Sequence, residues 1–175
     1  MDKRIEVRTL YKPGNGYNTD YVWKLKRAFQ RHLPLEHDFK VFTTDRSFNG
    51  NTSCQVVQLK HDWLSWWSKL EILSTAYWEP NRVYLYADLD TVIMGDLSPL
   101  FQVPGELVMM KDLVFPGAYN ASLLKWEKDL SFLFEIFKLH PNEWMNRFSQ
   151  WPIAADQGFI QETVGLLDKE LGSQI

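Results

Sequence analysis

Apolar residues fall along this chain in short bursts that alternate between two spacings. Ile5 to Leu10 is a compact β-rich run and the first strand candidate. The turn-forming loop Tyr11-Lys-Pro-Gly-Asn-Gly-Tyr17 follows it. From Asn18 to Leu33 the spacing changes: Val22, Leu25, Phe29 and Leu33 recur near the 3.6-residue period, and Pro34 stops the pattern, which predicts a helix. Phe39 to Thr43 and Gln55 to Leu59 read as short strands around a polar loop, Asp45 to Ser53. Ser65 to Tyr77 is expected to form a second helix with Trp66, Leu70, Leu73 and Tyr77 on one face. Pro80-Asn81 breaks the chain before a third kind of segment, the buried-type run Val83 to Ala87.

Beyond that run, Leu97 to Phe101 reads as a helical turn, Leu107 to Met110 and Tyr119 to Trp126 as strands, and Leu130 to Leu139 as a helix. Asp156 is placed to cap a last helix reaching about Leu167. Strands alternating with helices predict an α/β fold, with a mostly parallel sheet flanked by helices on both faces. In such sheets ligands collect at the carboxyl ends of the strands.

Asp88 and Asp90 stand at such an end, in Tyr84-Leu-Tyr-Ala-Asp88-Leu-Asp90-Thr-Val-Ile-Met-Gly-Asp-Leu. An extended backbone would point both carboxylates to one side. The apolar run Val92 to Met94 resumes at once, so the acids are expected at a break between two buried segments. Two such acids repel unless a cation sits between them. Hard divalent ions such as Mn²⁺ or Mg²⁺ take oxygen ligands of this kind, shared with phosphates. The spacing is the D-x-D of nucleotide-sugar-dependent glycosyltransferases.

Other positions carry chemistry in their setting. Lys69, among bulky rings in Trp66-Trp67-Ser68-Lys69-Leu70, could offset charge on a phosphate leaving group. Asn120, before small residues, could hydrogen-bond a ligand hydroxyl, and Asp156 with Gln157 beside it could reach a site from a helix start. Each has a plainer reading as a solvated lysine, a turn amide and a helix cap. The four histidines show no paired ligand spacing, and no P-loop, dinucleotide or serine-hydrolase motif is present.

Composition narrows the classes. With 175 residues, 45% hydrophobic and 23% charged, the chain reads as a single domain over 1–175 with a real core. A net charge of −3 disfavours non-specific nucleic-acid binding. Cys54 is the single cysteine, which fits a reducing, cytoplasmic setting. Neither an apolar leader nor a run of roughly 18 apolar residues appears, so no transmembrane segment is expected. Aromatic residues are the outlier, at 8 Trp, 7 Tyr and 11 Phe. They suit sugar faces as well as cores.

Together these blocks resemble the glycogenin-like glycosyltransferases of family 8. Tyr84 to Phe101 is similar to the family's D-x-D block, Tyr119-Asn-Ala-Ser-Leu to its F-N-S-G-V block, and Asp156-Gln-Gly-Phe-Ile to its G-D-Q-G block. Trp66 to Leu70 resembles the K-L helix before the D-x-D strand, in the form found in small bacterial and phage glycosyltransferase-like proteins. The order and spacing agree from about Ile5 to Gly165.

The resemblance implies a GT-A fold, Mn²⁺ or Mg²⁺, and a nucleotide-sugar donor, most often a UDP-sugar. A hexose would pass with retention to a glycan, lipid-linked sugar or protein acceptor. By residue, it implies Asp88 and Asp90 as metal ligands, with Asp88 also near the ribose. Lys69 would touch donor phosphate or sugar, and Thr9 to Tyr17 would face the base. Asn120, Asp156 and Gln157 would hold the donor sugar near the reacting carbon.

Three departures stand out. Ala121 and Ser122 follow Asn120 where the family has Ser-Gly, and Ala155 replaces the glycine before the D-Q-G block. The family's later H-x-x-G-x-x-K-P-W block, source of a third metal ligand and a phosphate-binding lysine, has no counterpart after His140. A C-terminally truncated chain, a site built differently, and a weakly catalytic nucleotide-sugar or glycan-binding remnant are the expectations this leaves.

Overall fold

A computed structural model describes residues 3–14, 16–50, 54–150 and 154–170, with side chains through residue 165. Asn15 of the first turn-forming loop and the end of the expected polar loop, residues 51–53, lie outside the described residues. The strands are β1 (Arg4–Tyr11), β2 (His37–Thr43), β3 (Gln55–Gln58), β4 (Arg82–Ala87), β5 (Leu107–Lys111) and β6 (Tyr119–Trp126). The helices are α1 (Thr19–His32), α2 (Lys69–Ile72), α3 (Ser131–Leu139), α4 (Pro141–Arg147) and α5 (Ala155–Glu170).

The six strands follow the order β3-β2-β1-β4-β6-β5. β3, β2, β1 and β4 run parallel, and β6 is antiparallel to β4. The sheet is therefore mixed, with a parallel majority. By contact the chain divides into two compact units. The first is Met1–Asp62 with Glu79–Val108 and Ser122–Lys128; the second is Trp63–Trp78 with Met109–Ala121 and Asp129–Ile175.

In the first unit, β1 is central and buried on both faces. Ile5, Val7 and Tyr11 pack with Val22, Leu25 and Phe29 of α1, the residues whose spacing predicts one helical face. Asn18 caps α1: its side-chain oxygen accepts from the Asp20 backbone N–H at 3.0 Å. The opposite face of β1 carries charge. Glu6 is 0% and Arg8 2% exposed, and Arg8 Nε donates to Glu6 Oε1 at 2.7 Å. Lys40 Nζ from β2 lies 2.7 Å, and an Arg82 guanidinium nitrogen from β4 lies 3.1 Å, from the other oxygen of Glu6. The Arg8 guanidinium also lies 4.0 Å from the Tyr84 ring centroid, and Tyr84 stacks on Trp126. Burial pulls the Arg8 pKa down, and Glu6 opposes that pull.

The second unit has an aromatic core. Trp67 stacks on Phe137 with centroids 5.2 Å apart, and Phe159 meets Phe137 and Trp144 edge-on at 5.8 and 5.0 Å. The expected helix Ser65 to Tyr77 is replaced here by a 3₁₀ turn at Ser65–Ser68, the four-residue α2, and a second 3₁₀ turn at Thr75–Tyr77. Ser65 enters at φ 47°, and Ser74 turns extended at ψ 156°. Every residue from Trp67 to Ser74 is buried while Trp66 is exposed, so the segment has no single apolar face to hold a long helix. The helix α4 has no counterpart among the elements that periodicity predicts; Pro141 opens it, as proline can at a first helical position.

The charged face of β1 gives a direct test. Glu6→Gln leaves Arg8, Lys40 and Arg82 around a neutral amide, and breaking a buried pair costs about 3–5 kcal/mol. Urea unfolding of this variant should show a loss of that order.

Candidate functional site

The first unit places a carboxylate pair at a topological switch point. After β1 the chain turns through α1 to β2 on one side; β4 lies on β1's other side and is followed in the sheet by β6. Such a divergence opens a crevice outside the carboxyl ends of the two strands. The segment after β4 carries Asp88 and Asp90, and the segment after β1 carries Tyr17.

Beyond Ala87 the backbone turns instead of running on extended. The Asp88 N–H donates to the Ser122 carbonyl at 2.9 Å, and the Thr91 N–H donates to the Asp88 carbonyl at 3.1 Å. The two acids thus belong to a hydrogen-bonded turn, and the extended-strand argument for their shared side does not apply. Val92 and Met94 are 79% and 87% exposed, so the apolar run after the acids is not buried. Leu89 and Ile93 face inward in its place. Asp88 is half-buried and Asp90 exposed.

Each acid is met by a phenol. Tyr86, buried on β4, donates its hydroxyl to Asp88 Oδ1 at 2.7 Å. Tyr17 donates to Asp90 Oδ2 at 2.8 Å. The Tyr17 phenol is pushed up to about 12, first by burial, then by its bond to Asp90 and the negative fields of Asp90 and Asp88. Sequence reasoning misses Tyr86, although it stands two residues before Asp88 on the strand that leads into the pair. Thr9, an expected base-facing residue, is fully buried inside β1, and its hydroxyl meets no hydrogen-bond partner among the described residues.

Two oxygen-donor side chains, each with one oxygen held by a phenol, suit a hard divalent ion that completes its shell with phosphate oxygens and water. Among the described residues no cluster of three His, Cys, Asp or Glu side chains could hold a metal on its own.

The second unit brings Lys69 and Asp156 together. Lys69 is 2% exposed; its Nζ lies 2.8 Å from Asp156 Oδ2 and donates to the Ala121 carbonyl at 3.0 Å. Asp156 sits within the first turn of α5, after Ala155, where a negative charge favours the helix. The expected cap is therefore a first-turn residue, and its carboxylate pairs with Lys69. Gln157 follows, half-buried. Asn120 supports the Asp112 carboxylate, whose pKa is lowered first by the Phe115 and Val114 N–H groups. Gln161 accepts from the Tyr119 N–H and donates to the Gly117 carbonyl, tying α5 to the start of β6.

Ala155 adopts φ 65°, the left-handed region. A glycine fits there without strain, which gives the glycine of the resembling motif a backbone reason.

With this geometry in hand, comparison with known proteins is informative on fold. No family model matches the chain, and no curated protein matches it. Solved structures do. The apo form of the glycosyltransferase GlyE of Streptococcus pneumoniae TIGR4 matches with a TM-score of 0.57 at 17% identity, over 97% of this chain and 44% of that one. A second structure of GlyE matches with a TM-score of 0.59 at 16% identity, over 92% of this chain and 43% of that one. The chain shares a fold with a glycosyltransferase and spans less than half of its length. Among the described residues no helix is long and apolar enough to cross a membrane.

Two outcomes follow for the second unit. Lys69→Ala leaves Asp156 buried without its cation and should lower stability by about 3–5 kcal/mol in chemical denaturation. Ala155→Gly relieves the left-handed strain and should raise stability by about 1 kcal/mol in the same assay.

Proposed function

We propose that this chain is a glycosyltransferase domain of GT-A type. It passes a hexose from a nucleotide sugar, a UDP-sugar by resemblance, to an acceptor hydroxyl with retention. The observation that carries the reading is the pair Asp88 and Asp90 at the β1/β4 switch point, met there by Tyr17 from the segment after β1. Fold likeness to GlyE supports it.

Asp88 and Asp90 are the residues that would hold Mn²⁺ or Mg²⁺. When bound, the cation supplies charge neutralisation to the diphosphate leaving group. Tyr86 keeps Asp88 oriented, and the segment through Tyr17 borders the base. In the reaction the bond from the anomeric carbon to the phosphate oxygen breaks, and a bond to the acceptor oxygen forms on the same face. The acceptor proton passes to the departing phosphate. For the second unit we assign Lys69 to holding the Asp156 carboxylate, because its ammonium is spent on Asp156 and the Ala121 carbonyl. Asp156 is buried against Lys69, and Asn120 hydrogen-bonds the Asp112 carboxylate, so both serve the second unit itself.

Calorimetry tests the reading. UDP binding in the presence of Mn²⁺ should be largely lost in Asp88→Asn/Asp90→Asn, and transfer or donor hydrolysis should require the metal. Unchanged affinity in the double variant would sink the assignment. Binding without turnover would make the chain a nucleotide-sugar-binding domain.

A further inference from the structure

The two phenols that meet the carboxylates are not equivalent. Tyr86 projects from β4, a strand paired on both sides, and at 1% exposure its ring is packed in place beside Asp88. Tyr17 lies outside the sheet and is half-buried. Its backbone pairs with Gly14, which with Gly16 takes a positive φ, and its ring meets Tyr21 edge-on at 5.2 Å. Its hydroxyl bond to Asp90 is therefore one contact among several. The ring can keep its packing while the hydroxyl gives up its partner.

A phenol donating to a carboxylate oxygen occupies one of the two lone pairs open to a cation at that oxygen and draws off part of its charge. Resting on the reading of Asp88 and Asp90 as a metal pair, we propose that Tyr17 is a displaceable stand-in for the cation at Asp90. Its hydroxyl holds Oδ2 until a divalent ion takes that oxygen. Tyr17 thereby weakens metal binding and keeps Asp90 hydrogen-bonded before the ion arrives. Tyr86 does the reverse at Asp88, where its hold on Oδ1 fixes the carboxylate in the orientation that meets the ion. The carboxylate of Asp90 keeps a second oxygen of its own, so the competition is partial and its effect on affinity modest.

Opposite signs make the proposal testable. Mn²⁺ alone is titrated into the full chain, with free Mn²⁺ followed by electron paramagnetic resonance and folding checked by thermal melting. Tyr17→Phe keeps the ring and removes the competing hydrogen, and it should bind Mn²⁺ about 3–10-fold tighter with an unchanged melting temperature. Tyr86→Phe should bind more weakly. Equal or weaker binding by Tyr17→Phe overturns the proposal, while loss of binding in Asp88→Asn/Asp90→Asn keeps the metal pair intact. If the double variant binds Mn²⁺ like the parent, the metal reading itself has failed. Absence of Mn²⁺ binding in both the parent and Tyr17→Phe overturns the stand-in role, and the UDP calorimetry then decides the metal reading separately.

Discussion

A single buried carboxylate, Glu6, ties together the three strands on which the candidate site stands. Its two oxygens meet Arg8 on β1, Lys40 on β2 and Arg82 on β4. Sequestering so much charge is costly, and a well-packed apolar cluster would stabilise the sheet at least as well. What charge adds is register. Slipping β1 by one residue would turn Glu6 and Arg8 to the α1 face, among Val22, Leu25 and Phe29, with no counter-ion there. The neighbours of β1 are thereby fixed, and with them the crevice at the ends of β1 and β4.

The second unit solves a comparable problem with different material. Its rings pack around Phe137 and Phe159, and one lysine–aspartate pair sits beside them in a water-poor setting. Low local polarity strengthens that pair and makes either partner alone expensive. A lysine that looks in sequence like a free phosphate ligand is, in the fold, the counter-ion of an acid at the start of α5.

Local patterns were legible and long-range pairings were not. The strands β1 to β6 match segments read from short apolar runs, and α1, α3 and α5 match segments read from helical spacing and a cap signal, because each of those signals is local. The carboxylate pair was visible because a buried-type run ends in it. The segment Ser65 to Tyr77 misled because burial on all sides erases the difference between a helix and a string of turns. The exposure of Val92 and Met94 contradicted their hydropathy, since a turn and not a strand follows Asp88. The partnership of Tyr17 with Asp90 joins positions far apart in the chain, and periodicity carries no information across such a gap.

The pairing of β1 with β4 also has a consequence in time. Arg4 lies opposite Arg82, so β1 must wait for the later β4 before that edge is filled. At typical synthesis rates that interval is on the order of ten seconds. An apolar strand left open for that long invites association with other nascent chains. In the finished sheet the Tyr84 and Trp126 rings cover the Arg8 guanidinium. Inward-pointing charges blunt an unpaired strand, so the groups that are expensive in the finished sheet also make β1 a poorer template for wrong pairing.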